Sequence, residues 1–172
     1  ACRCRECGYA DGVRVLLVQP PRRYWPYTSE GDNFLLQQAL PALAAVARDE
    51  GHDIRVVDCM PSHVGWASLF SIIRDFDPQV IGAGENHALY SKEALRFFRL
   101  AREAAPNAIT VAGGGHFSNL PHRYATRDDI DLICIGEGEE TFREILRMVD
   151  SGRSDWETID GLAFGQIGRA HV

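Results

Sequence analysis

A doubly wound α/β fold around a five-stranded parallel sheet is the architecture this 172-residue sequence predicts, and three observations predict it. Short apolar runs recur at 13–18, 53–58, 80–82, 107–112 and 130–135, separated by helix-spaced stretches in a β-α repeat taken five times. The first run, VRVLLV, is near-continuous rather than alternating, which marks a strand buried on both faces of a parallel sheet. Glycine clusters where the later runs end, above all Gly113-Gly114-Gly115 and Gly136-Glu137-Gly138. An ordinary turn needs one glycine, so several in succession point to a flat ligand touching backbone. With right-handed crossovers the expected strand order is 2-1-3-4-5, the flavodoxin-like arrangement.

Taken in order, residues 1–12 form a Cys-rich lead-in in which Cys4-x-x-Cys7 has the spacing of half a zinc site; four ligands are needed and no second pair follows. The first strand ends at Gln19-Pro20-Pro21, where proline ends ladder pairing. A loop of aromatic and polar residues follows, too long for a mere connection. Residues 33–50 carry Leu36, Leu40, Leu43, Ala44 and Ala47 on one helical face, and Pro41 inside that span demands either a kink or a later start. The second strand ends in Asp58, at a position where such folds place chemistry. Helices are expected at 66–76, 91–105 and 139–149. Residues 151–157 read as a linker, and TIDGLAF at 158–164 as a strand that begins something new. The domain thus spans 13–150, with 151–166 leading into a further domain and the chain reading as a piece of a longer protein. Residues 167–172, IGRAHV, match the in-frame translation of a sequencing adapter and are expected to be a non-native tail.

A formal net charge of −6 with no basic cluster excludes a nucleic-acid partner. No apolar run approaches the roughly 20 residues of a membrane span. With no signal-peptide core, the cytoplasm is the default compartment. Five cysteines, three of them within the first seven residues, do not resemble a secreted disulfide framework.

The series VLLVQPP, ALPALAAVARDEGHDIRVVD, DPQVIGAG, AITVAGGGHF and DLICIGEGEETFREIL resembles the N-terminal cobalamin (B12)-binding domain of B12-dependent radical SAM enzymes. That group contains the anaerobic magnesium-protoporphyrin ester cyclase and many methyltransferases. The pairing of GG-x-H after the fourth strand with GEGE-x-T after the fifth is its most specific part. The resemblance implies a Rossmann-like fold binding cobalamin, and a module that presents the corrin to a separate domain carrying a 4Fe-4S cluster, S-adenosylmethionine and a small-molecule substrate. TIDGLAF would be the bridge to that domain, whose C-x-x-x-C-x-x-C motif this chain lacks.

Carried over by position, the resemblance assigns cofactor contacts to Gln19, Pro20, Asp58, Met60, Ser62, His63, Gly82, Gly84, Glu85, Gly113, Gly114, Gly115, His116, Gly136, Glu137, Gly138 and Glu139. Glu137 and Glu139 suit amide hydrogens of corrin side chains better than phosphate. The cobalt-ligating signature D-x-H-x-x-G is not matched: aligned on Asp58, Met60 stands in the histidine position. His63 is a candidate for cobalt by a displaced loop, with Cys4 and Cys7 as the other metal candidates, and His116 is expected as a hydrogen-bond partner rather than a ligand. Cys134 reads as a small core residue, and Cys59 has no neighbouring cation to activate it. Two other readings share the fold. A flavin or nucleotide binder wants Ser, Thr and Gly in the first loop, where Gln19-Pro20-Pro21 stands, and a ligand-free interaction domain needs no slot.

Overall fold

The structure is a computed structural model that describes residues 12–22, 38–166 and 169–171. The long loop after the first strand and Cys4 and Cys7 lie outside those residues. Among them the sheet has seven strands, β1 (Arg14–Gln19), β2 (Asp53–Asp58), β3 (Val80–Gly84), β4 (Ile109–Gly113), β5 (Leu132–Cys134), β6 (Leu162–Gln166) and β7 (Arg169–His171), in the order β2-β1-β3-β4-β5-β6-β7. The first five are parallel and follow the expected 2-1-3-4-5 order; β6 and β7 add antiparallel at the β5 edge.

That edge corrects the five-strand expectation. The strand of TIDGLAF extends this sheet: it pairs with β5, Cys134 facing Leu162 and Leu132 facing Phe164. Two bonds fix it there. The Ile135 N–H donates to the Gly161 carbonyl at 2.8 Å, and the Thr141 hydroxyl donates to the Asp160 carbonyl at 2.9 Å.

Helices α1 (Ala39–Asp49) and α6 (Glu139–Asp150) pack together on one face. On the other lie α2 (Trp66–Phe76) and α3 (Ser91–Ala104). The period-2 alternation of β1 divides the core accordingly: Val15 and Leu17 join Leu40, Phe142 and Ile145, while Leu16 and Val18 join Leu69, Ile73, Phe97 and Phe98. Helix α1 is described from Ala39, so Pro41 falls in the first turn, where its missing N–H leaves no intrahelical bond unmade. Arg147 and Arg143 of α6 reach back to Glu50 at the end of α1, at 2.8 and 3.2 Å, and Arg143 also pairs with Glu140 within its own helix. The fourth crossover carries two single-turn helices, α4 (Gly115–Ser118) and α5 (Pro121–Tyr124), that helical periodicity does not reveal. Strand β2 lies at the outer edge, with Asp53, Arg55 and Val56 exposed. Among the described residues no helix is long and apolar enough to cross a membrane.

Candidate cofactor cleft

The C-terminal ends of β3, β4 and β5 open into a cleft of about 410 Å³ roofed by the first turns of α1 and α6. Its floor is Gly82 to Gly84 and Val111 to Gly113, and its walls are Leu17, Leu40, Leu43 and Phe142. A side chain at Gly82 would start 3.0 Å from the Leu17 Cδ2, so packing beneath the cleft already asks for glycine there.

The three consecutive glycines differ in what they do. Gly114 has φ +84°, and a Cβ on it would lie 2.7 Å from the Glu85 carbonyl oxygen, so backbone geometry and neighbouring backbone both require glycine. A Cβ on Gly113 would meet nothing within 4 Å. Nothing among the described residues demands that bareness; it leaves the cleft open. Gly115 N–H donates to the Asn86 Oδ1 at 2.9 Å, pinning the loop after β4 to the loop after β3. Ser118 performs the same service one strand further on: its Oγ donates to the Cys134 carbonyl at 3.1 Å and accepts from Gly136 N–H at 3.3 Å.

At the mouth, Gly138 is the N-cap of α6, and the first intrahelical bond runs from Phe142 N–H to the Gly138 carbonyl. The N–H groups of Glu139, Glu140 and Thr141 therefore lack intrahelical partners and form the positive end of the helix dipole. Glu137 is exposed and Glu139 half-buried beside them.

The residues expected at the site divide in two. Gly82, Gly84, Gly113, Gly114, Gly115, Gly136, Glu137, Gly138 and Glu139 line the cleft. Gln19, Pro20, Asp58, Met60, Ser62, His63, Glu85 and His116 do not. Glu85 is a buried stitch: one carboxylate oxygen accepts from the N–H groups of Asn86 and His87, each at 2.9 Å, and the other meets the Arg22 guanidinium at 2.7 Å. Arg22 also stacks on Tyr90, 4.4 Å from the ring centroid. Asp58 Oδ1 accepts from Met60 N–H, and Met60 Sδ accepts from Arg22 N–H at 3.3 Å. Ser62 and His63 are exposed on the turn after β2, His63 at φ +50°. His116 was expected to bond ligand or backbone; its Nε2 instead lies 2.6 Å from the hydroxyl of the buried Tyr124. Among the described residues no group of three or more His, Cys, Asp or Glu is placed to hold a metal ion.

Sequence reasoning missed the apolar walls and the two polar pins. Leu40 and Leu43 carried a signal, their helical spacing, but that spacing does not separate a cleft wall from a core face. Asn86 and Ser118 sit next to the glycine loops, which is the one cue the sequence offers.

Cys134 lines the cleft and Cys59 is buried behind β2. Burial pushes both thiols up to about 12, with the Asp58 carboxylate adding to the effect at Cys59. Both are therefore neutral and unreactive at physiological pH. Site-resolved alkylation at pH 8 is expected to leave Cys59 and Cys134 unmodified until denaturant is added; rapid labelling of the folded chain would contradict the placement. Because the folded values lie above the ordinary 9.0, the stability tied to these thiols is intact below about pH 9. It is lost as pH climbs toward 12, a slope that Cys134→Ala should reduce in chemical unfolding.

An open, mainly parallel sheet with helices on both faces and a bare, partly apolar slot at its strand ends is the architecture of an α/β domain that takes a ligand at its strand tips. The chain belongs to the B12-binding domain family, whose model matches residues 31–146. It is 30% identical over 159 residues to an uncharacterized methyltransferase of Pyrococcus horikoshii, covering 91% of this chain and 34% of that protein. It is 29% identical over 116 residues to the anaerobic magnesium-protoporphyrin IX monomethyl ester cyclase of Rubrivivax gelatinosus, covering 65% of this chain and 20% of that one. The chain thus spans about a third or less of these relatives. The fold is shared with the radical S-adenosylmethionine methyltransferase TsrM from Kitasatospora setae, solved with cobalamin and a [4Fe-4S] cluster, at a TM-score of 0.76 and 22% identity over 92% of this chain and 28% of that one. The cobalamin-dependent S-adenosylmethionine radical enzyme OxsB, solved with aqua-cobalamin, superposes with a TM-score of 0.74 at 19% identity, over 94% of this chain and 22% of that one.

Proposed function

We propose that this chain holds cobalamin with the nucleotide tail in the cleft, and presents the corrin to a radical SAM domain of a longer cytoplasmic enzyme. The observation that carries this reading is Gly113, bare where neither backbone conformation nor a neighbouring atom asks for it. The cleft volume is near the lower end of the roughly 300–1,000 Å³ of small-molecule sites, a size for a tail and not for a whole corrin. The donors fit too: the first-turn N–H groups of α6 suit a phosphodiester, and the carboxylates of Glu137 and Glu139 accept from amide side chains of the corrin.

Bound cobalamin supplies a cobalt centre able to exchange alkyl groups or join radical chemistry. The chain's own residues orient and shelter it. Leu17, Leu40, Leu43 and Phe142 exclude water from the tail, Gly113 lets it approach the sheet, and Asn86 and Ser118 hold the loops at fixed spacing. In the longer enzyme the reaction is methyl transfer or a radical rearrangement or cyclisation on a small molecule.

Incubation of the purified chain with hydroxocobalamin followed by gel filtration tests this directly. The visible corrin spectrum should travel with the protein at one equivalent. A colourless protein peak would leave only the fold and favour a domain that packs against a neighbour without a ligand.

A further inference from the structure

We propose that the cleft selects among corrinoids by the base that ends their tail, taking a benzimidazole and rejecting a purine. This rests on the reading that the tail enters the cleft. The walls are Leu17, Leu40, Leu43, Val111 and Phe142, five side chains without a hydrogen-bonding atom. Of the polar side chains that share the lining, Ser118 is committed as both donor, to the Cys134 carbonyl, and acceptor, from Gly136 N–H, and Asn86 through its Oδ1, taken by Gly115 N–H. Glu137 is exposed and Glu139 stands with it at the start of α6, where water still competes.

A benzimidazole presents a hydrocarbon edge to such walls, and its one free nitrogen lies in the five-membered ring, where adenine carries the same atom. Adenine in the same position adds an exocyclic amine and two nitrogens in the six-membered ring. Each of these, desolvated without a partner, weakens binding by roughly five- to a hundredfold. Sites that exclude a group by leaving it unpaired discriminate more strongly than sites that merely add a contact. The selectivity therefore comes from what the walls withhold.

The test is a titration of the full chain with three probes: cobalamin, its adenine-tailed analogue, and cobinamide, which has no base. Binding is read from the corrin absorption or by calorimetry. Cobalamin should bind at least about tenfold more tightly than either of the others. Leu43 is half-buried, so Leu43→Asn should fold and should narrow the gap between cobalamin and the adenine analogue by offering the purine a partner. A melting curve checks that the variant is folded, and the three-probe comparison decides the question without it. Equal affinity for the two tailed corrinoids overturns the selectivity while leaving the proposed function standing. Cobinamide binding as tightly as cobalamin overturns the placement of the tail. Failure of all three to bind overturns the cobalamin reading itself.

Discussion

Gly113→Leu is expected to weaken cobalamin binding by a hundredfold or more, about 2.7 kcal/mol, while leaving the melting temperature within about 2 °C of the parent. A Cβ at Gly113 has open space around it, so the new side chain occupies the cleft and displaces no protein atom. Gly114→Ala, one residue on, should do the reverse. The alanine would hold a left-handed φ of +84° with its Cβ 2.9 Å from the Glu85 nitrogen and the Asn86 Oδ1, and 2.7 Å from the Glu85 carbonyl oxygen. The left-handed conformation alone costs about 1–2 kcal/mol. Relieving the clash with backbone brings the loss to about 3 kcal/mol, a fall of about 6–12 °C. Paired binding and melting measurements separate the two. If Gly113→Leu retains the corrin spectrum, the cleft is not where the cofactor sits.

Arg22→Met is expected to lower the unfolding free energy by about 3 kcal/mol, because removing one member of a buried ion pair strands the other. The Glu85 side chain is 2% exposed and that of Arg22 15%. The carboxylate would keep its two backbone N–H partners and lose the Arg22 cation. The damage would reach the cleft, since Glu85 N–H donates to the Gly113 carbonyl at 2.9 Å and the Glu85 carbonyl accepts from His116 N–H at 2.9 Å. Cobalamin affinity should fall along with stability. Glu85→Gln added to Arg22→Met removes the stranded charge and should restore most of the loss, a coupling that a double-mutant cycle in urea measures. Superimposable melting curves for Arg22→Met and the parent would show the pair to be dispensable.

Much of the sheet could be read from the chain because its strands recur as short, mostly apolar runs, two of them closed by a residue that ends ladder pairing or bends the chain away, Pro20 after β1 and Gly114 after β4. The bounds of α2 were readable for the same kind of reason, with Leu69 and Ile73 on its buried face and Asp77 leaving the helix at φ +50°. The attachment of β6 was not. Its partner is chosen by bonds from Ile135 and Thr141 to Asp160 and Gly161, contacts made across about twenty residues that no local pattern encodes. The glycine loops that line the cleft were legible because several bare positions in a row are rarely needed for folding alone. The hydrogen bonds of Glu85 and His116 to the protein itself were not, since a polar side chain beside a glycine loop serves equally as a ligand, as a stitch to backbone, or as the partner of another side chain.

The outermost ribbon of this sheet has a further consequence. On β2 the outward positions Asp53 and Arg55 carry opposite charges, Val56 next to Arg55 stays open to water, and Val57 alone turns fully inward. A second chain approaching that margin would have to bring an apolar strand against solvated ions, and desolvating them is unfavourable. Among the described residues the molecule thereby leaves a row of backbone donors and acceptors without a strand partner and without inviting fibre growth, and the apolar slot at the strand tips, not the flank, is where its stickiness is concentrated.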